Sequence, residues 1–164
     1  MYMFVKSLVK ALHSLIIETI IFTSGVRSAE VNSNAAVYLA GECVKLVCEA
    51  MVHLAKVEEK DEYVEKALRE LENAKNLFKS VVTGERSTDT IRICISYGVE
   101  NRNVFILDLA HNHIHKAIDL LKKSRNFEMY REILELLAIA RRESAPITLY
   151  RLAYDISRKI TFEK

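Results

Sequence analysis

The residues best suited to chemistry gather in one stretch: Asp108, His111, His113, His115 and Asp119. At about 100° per residue, His111, His115 and Asp119 each fall within about 60° of Asp108, so the four share one stripe of a helix. Histidines four apart can clasp a zinc or copper ion, and a carboxylate can serve as a third ligand. Asp108, His111 and His115 are therefore the candidate metal ligands. A structural or catalytic zinc takes three or four protein ligands. The stripe also lies on the polar side of its helix, because Leu107, Ala110, Ile114, Ala117, Ile118 and Leu121 make the apolar side. A solvated or interface face is the competing reading. His113 sits nearer the apolar side, where a partly buried, hydrogen-bonded histidine is expected.

Basic residues supply the second kind of chemistry. Residues 1–82 carry 10 Lys+Arg against 11 Asp+Glu, and residues 83–164 carry 14 against 11, for a net charge of +2. Nine of the eleven arginines fall in the second part. The planar guanidinium suits bidentate phosphate contacts and buried ion pairs. Lys122, Lys123, Arg125, Arg151, Arg158 and Lys159 are the candidate nucleic-acid contacts. Each has a plainer reading. Lys122, Lys123 and Arg125 close a helix, where positive charge stabilises the dipole. Asp155 lies between Arg151 and Arg158, and Glu128 and Glu135 share a face with Arg131 and Arg142. Interleaved signs of that kind describe a salt-bridged wet surface.

Most catalytic signatures are missing from the sequence. The four glycines are isolated, so no phosphate-cradling loop is written, and neither HExxH nor GxSxG occurs. The paired Glu-x-x-His motifs of a di-iron bundle do not occur either. No catalytic residue is assigned, no cofactor is implied, and the balance falls against an enzyme.

The elements that position these residues are helices. Four Gly and one Pro in 164 residues compare with about 11 and about 8 at average usage. So few turn formers exclude a sandwich or barrel. Half of the residues are apolar and 28% are charged, which describes one globular domain over residues 1–164. Lys6, Lys10, His13 and Glu18 interrupt the apolar start, so neither a membrane span nor a signal-peptide core is expected there. Cys43, Cys48 and Cys94 form no CxxC pair. Cys43 and Cys48 read as small core residues, and a reducing, cytoplasmic setting is expected.

Periodicity predicts helices over 2–23, 29–57, 61–82, 102–124, 127–142 and 145–160. The first is expected to turn Phe4, Leu8, Leu12 and Ile16 toward the core. The second has only Glu42, Lys45, Glu49, His53 and Lys56 as a narrow wet stripe, so other helices should surround it. Gly41 is expected to permit close approach there. Asp61 should cap the third helix and Gly84 should close it, while Ser144 and Pro146 should start the last one. The segment TIRICISYG alternates like a strand but is assigned a short helix, since an all-α chain offers a strand no partner. The expected fold is all-α: a single bundle of five to seven helices around a central buried helix at about 29–57. An apolar first helix and an apolar TIRICISYG together predict a homo-oligomer or a subunit of a larger complex.

Two resemblances follow from particular stretches. From Ile91 to Phe162 the chain has a short apolar segment ending near Tyr97–Gly98 and a helix ending in His115–Lys116–Ala117. A charged helix follows, then a last helix with Leu149–Tyr150–Arg151–Leu152 and Arg158–Lys159. That order resembles the small all-α subunit of type III CRISPR effector complexes. The resemblance implies a non-catalytic subunit packing along an RNA-guided complex, with Arg151, Arg158 and Lys159 as contacts. Residues 34–57, NAAVYLAGECVKLVCEAMVHLAKV, resemble the second helix of HEPN domains. The ribonuclease motif of that family is Arg, four to six residues, then His. Eight residues separate Arg102 from His111 here, so this resemblance implies a HEPN-like module without an intact motif. A helical metal-binding protein is the remaining alternative.

Overall fold

The computed structural model describes residues 4–12, 28–85, 91 and 101–162. It shows five α-helices: α1 (Ser28–Ala55), α2 (Glu62–Thr83), α3 (Arg102–Lys123), α4 (Arg131–Glu143) and α5 (Pro146–Phe162). A 3₁₀ turn, Phe127–Tyr130, leads into α4, and residues 4–12 are also helical. There is no strand among the described residues. The fold is an all-α bundle. Among the described residues no helix is long and apolar enough to cross a membrane. Cys94 and residues 13–23 lie outside the described residues, as does TIRICISYG apart from Ile91, which is helical.

α1 is the centre of the bundle and packs against all four other helices. Val31, Ala35, Leu39, Cys43, Val47, Ala50 and Leu54 are buried along it, joined by Ala36 and Ala40. Steps of three and four with alanines between them form a broad dry face. The wet side is wider than the expected stripe, because Tyr38 and Val52 are exposed beside Lys45 and Glu49. Cys43 is buried, whereas Cys48 is half-buried. Gly41 is not a close-approach residue: a Cβ placed there meets nothing within 4 Å.

α2 and α3 form an antiparallel pair and pack extensively on each other. Asp61 caps α2 by accepting the Val64 N–H at 2.9 Å, and it accepts the Ser124 hydroxyl at 2.6 Å from the far end of α3. Nine residues on, Glu70 of α2 meets the His113 Nδ1 of α3. Chain numbers rise on one helix as they fall on the other, which fixes the direction. Gly84 closes α2 with φ 77° and donates its N–H to the Ser80 carbonyl at 2.9 Å, the left-handed position that favours glycine.

Two expectations are corrected here. Ser144 does not start the last helix. Its hydroxyl donates back to the Ala140 carbonyl at 2.7 Å and closes α4. The carbonyl of Ala145 accepts the first N–H groups of α5, from Thr148 and Leu149. A serine can serve either end, because its hydroxyl competes for whichever backbone group lacks a partner. The segment 4–12 is helical but not core-facing, since all nine of its residues are exposed. The four helices around α1 already fill the core. Phe4, Leu8 and Leu12 are 70%, 49% and 50% exposed.

These placements predict opposite outcomes for three changes in α1. Leu54→Ala should lower stability by about 2–5 kcal/mol, as a fully buried truncation does. Glu49→Ala should change it by less than about 0.5 kcal/mol. Gly41→Ala should raise it by about 0.5–1 kcal/mol, because the methyl has room and the helix loses its most flexible residue. Urea denaturation midpoints at constant slope would check all three.

Candidate functional site

His111 is the residue from which a site can be built. α3 carries it on the flank of the buried Leu107, Ala110 and Ile114 row, half-buried and facing the end of α4. Its Nδ1 lies 3.0 Å from the Ser144 Oγ. A serine beside a histidine invites a nucleophile–base reading. The hydrogen bonds contradict it. The Ser144 hydroxyl hydrogen goes to the Ala140 carbonyl at 2.7 Å, with the Arg141 carbonyl at 3.3 Å. Its oxygen therefore accepts from the His111 Nδ1–H, and the imidazole lone pair is left on Nε2. Ser144 is 1% exposed, and its hydroxyl is committed to these contacts. The pair is structural.

Around His111 opens a cleft of about 870 Å³ between α3, α4 and the 4–12 segment. Lys6, Lys10, His111, His115, Arg141 and Arg142 contribute to its wall. The remaining lining residues are Asn112, Ala138, Ile139 and Ala145, so no carboxylate is among them. Arg142 has a loose ion pair, 4.0 Å from Nε to the Glu143 carboxylate. Burial holds the His111 imidazole below its usual value. Asp108 works against that shift, and His115 and Lys10 reinforce it. A neutral imidazole thus stands inside a ring of permanent cations. The lining is rich in cations, with the Glu143 carboxylate beside Arg142 and the Asp119 carboxylate beside His115 at its edge.

The expected metal ligands do not assemble. His111 spends Nδ1 on Ser144, and the Nε2 of His115 is 3.8 Å from the Asp119 carboxylate on the exposed helix surface. Among the described residues no group of three His, Cys, Asp or Glu is placed to hold a metal ion. Arg102 and His111 are separated by nine steps of one helix, about 14 Å along its axis, so the HEPN-type pair is not brought together either.

The six expected nucleic-acid contacts are all exposed but fall in two places. Lys122, Lys123 and Arg125 cluster at the end of α3. Lys122 lines a shallow pocket with Arg131 and Arg141, in which Glu128 and Glu135 also stand. Arg141 lines both that pocket and the cleft. Arg151, Arg158 and Lys159 lie on α5, where the Arg158 guanidinium stands 5.8 Å over the Tyr154 ring. None of the six lines the cleft. The sequence reading missed Lys6, Lys10, Arg141 and Arg142 as a group. The adjacent arginines at 141 and 142 were the only local signal, and the lysines are more than a hundred positions away. Cys43 is no reactive centre: burial pushes its thiol up to about 12, and its Sγ sits 3.6 Å from the Ala140 carbonyl.

No protein-family model matches this chain, and no curated protein or solved structure matches it.

The buried imidazole makes stability pH-dependent with a defined sign. Unfolded, His111 titrates near 6.5, and folded it titrates lower. Between those values the unfolded chain holds more protons, so stability falls as the pH falls. The contribution is fully present above about pH 6.5. The groups facing His111 are Lys10 from the 4–12 segment, Asp108 and His115 from α3, and Arg141 and Arg142 from α4. His115 is the other histidine among them, so the comparison belongs in a His115→Asn background. There, adding His111→Asn should flatten the loss of urea stability between pH 7 and pH 5.5. Equal slopes would show that His111 is not held neutral by the fold.

Proposed function

We propose that this protein is a non-enzymatic helical subunit that binds RNA through the cleft between α3, α4 and the 4–12 segment. One observation carries the reading: four Lys and Arg side chains and two histidines line one cleft with no carboxylate among its lining residues. Phosphates on a flexible strand are the anions that such a surface takes, through charge and released counterions rather than sequence. Lys122 extends the basic path, since Arg141 joins its pocket to the cleft. Arg151, Arg158 and Lys159 on α5 offer a second run of backbone contacts.

The resemblance to the small subunit of type III CRISPR effector complexes supports the same direction, because such a subunit binds within an RNA-guided assembly and performs no chemistry. An assembly of this kind also answers the exposed apolar row Phe4, Leu8 and Leu12, which a neighbouring subunit would cover.

Fluorescence anisotropy with a labelled single-stranded RNA of mixed sequence tests the reading. Affinity should fall linearly with log salt. Arg141→Glu with Arg142→Glu should weaken binding at least about tenfold and reduce the salt slope by about one to two. The same reversal at Glu58 and Glu59, exposed in the α1–α2 loop, changed to Lys, should not weaken it. RNA that does not bind at low salt, or binds the double arginine variant unchanged, overturns the reading.

A further inference from the structure

A second cavity, about 310 Å³, lies beside the cleft where α1, α3 and α5 meet. Its apolar wall includes Val104, Leu107 and Leu149, and the rings of Phe105 and Tyr150 line it as well. Asn32 also lines it. This asparagine is 3% exposed, and its Oδ1 has no hydrogen-bond partner. Buried side-chain acceptors are nearly always satisfied, so an orphan in a cavity wall needs an explanation. A ligand with an N–H or O–H donor supplies one. Asp108 adds a second acceptor to the wall, beside Asn101 and Tyr150. Apolar and aromatic walls with a few fixed polar groups are the composition of a small-ligand site, and this volume is at the small end of that range. A single flat heterocycle bearing N–H donors matches it.

The position of the cavity identifies what the heterocycle is attached to. Ser144 lines the cavity, and its hydroxyl contacts His111, which lines the cation cleft. Ala145, the next residue, lines the cleft. Asp108 lines the cavity, and one turn later His111 lines the cleft. Cavity and cleft are therefore neighbours across one wall. On one side stands a slot for a flat ring with donors, and on the other stand cations for a phosphate. Those are the two ends of a nucleotide.

Resting on the RNA reading above, we propose that the Asn32 cavity receives one unstacked nucleobase of a single strand whose adjoining phosphate lies against Arg141, Arg142 and Lys10. The Asn32 Oδ1 accepts an N–H of the base, and the Tyr150 and Phe105 rings bound its flat faces. Asp108 keeps the phosphate on the far side of the wall by charge.

The test compares a mixed-sequence RNA 12-mer with an abasic 12-mer that keeps every phosphate. Wild type should bind the ordinary strand about tenfold more tightly. Asn32→Leu is nearly isosteric and removes the orphan acceptor. It should lower affinity for the ordinary strand severalfold, leave abasic binding unchanged, and leave the salt slope unchanged. Thermal melting confirms that the variant is folded, and the wild-type comparison of the two strands stands by itself if it is not. Equal binding of the two strands by wild type overturns the base slot and leaves the cation cleft intact, as does an Asn32→Leu variant that discriminates like wild type. Loss of both strands removes the RNA reading itself. Mononucleotide competition distinguishes the source: a nucleoside monophosphate that competes as tightly as the 12-mer overturns occupancy by a strand.

Discussion

α1 must be dry on most of its circumference, and every other element answers that requirement. Ala35, Ala36, Ala40 and Ala50 sit among Leu39, Val47 and Leu54, all buried. A helix with that distribution cannot lie on a surface, because burying apolar area is the dominant favourable term in folding. Four helices are recruited around it. The small residues also decide how near they come, since alanine side chains let neighbouring backbones approach. α2 and α3 complete one side as an antiparallel pair tied near its open end by the Asp61–Ser124 hydrogen bond. α4 and α5 complete another, and their junction lies against the first half of α1.

That junction carries the site. A helix ending in the interior leaves carbonyls that need donors. At the end of α4 the Ala140 carbonyl receives the Ser144 N–H at 3.0 Å and the Ser144 hydroxyl at 2.7 Å, with the Cys43 Sγ of α1 at 3.6 Å. Satisfying a buried backbone group thus places Ser144. Its oxygen then orients His111 from α3. Ser144 becomes the wall between the cleft and the Asn32 cavity. Nothing in this sequence of causes concerns a ligand. The site is assembled from the needs of a helix end, and only the lining side chains give it chemical character.

The parts of the fold legible from sequence were those decided locally. Asp61, the row Val64, Ala67, Leu71, Ala74 and Phe78, and Gly84 specify the start, inner face and end of α2 by spacing alone. The inner face of α3 is equally plain, and the place of His113 near the apolar side agrees with its partly buried contact to Glu70. Failures came where two elements compete for one residue. Ser144 is a good cap for a following helix, yet the buried α4 carbonyl claimed it. Gly41 looked like a packing glycine because its neighbours are small, yet the space above it is open. Helical spacing puts Asp108, His111 and His115 on one face, but among the described residues no group of three His, Cys, Asp or Glu is placed to hold a metal ion. The cation cleft was invisible because Lys10 and Arg141 are distant in sequence and meet only when the chain is folded. Asn32 carried no signal at all, since an unsatisfied atom is a property of its surroundings.

Such a cleft is a local inconsistency in an otherwise consistent molecule. Like charges within about a Debye length of 8 Å repel at physiological salt, and Lys10, Arg141 and Arg142 line one space, where the Glu143 carboxylate approaches Arg142 only to 4.0 Å. Burial adds a second unfavourable element by keeping His111 neutral beside them. The orphaned Asn32 Oδ1 across the wall is a third. Places where a well-patterned sequence departs from its own rules are where function is expected. An anion would relieve all of the charge terms together. It would screen the cations from one another and favour the protonated imidazole, so that binding takes up a proton and weakens with salt. A donor-bearing ring in the neighbouring cavity would satisfy the third term, which the anion alone leaves in place. The three departures lie side by side, and under the proposed reading the phosphate cleft and the base cavity meet at Ser144.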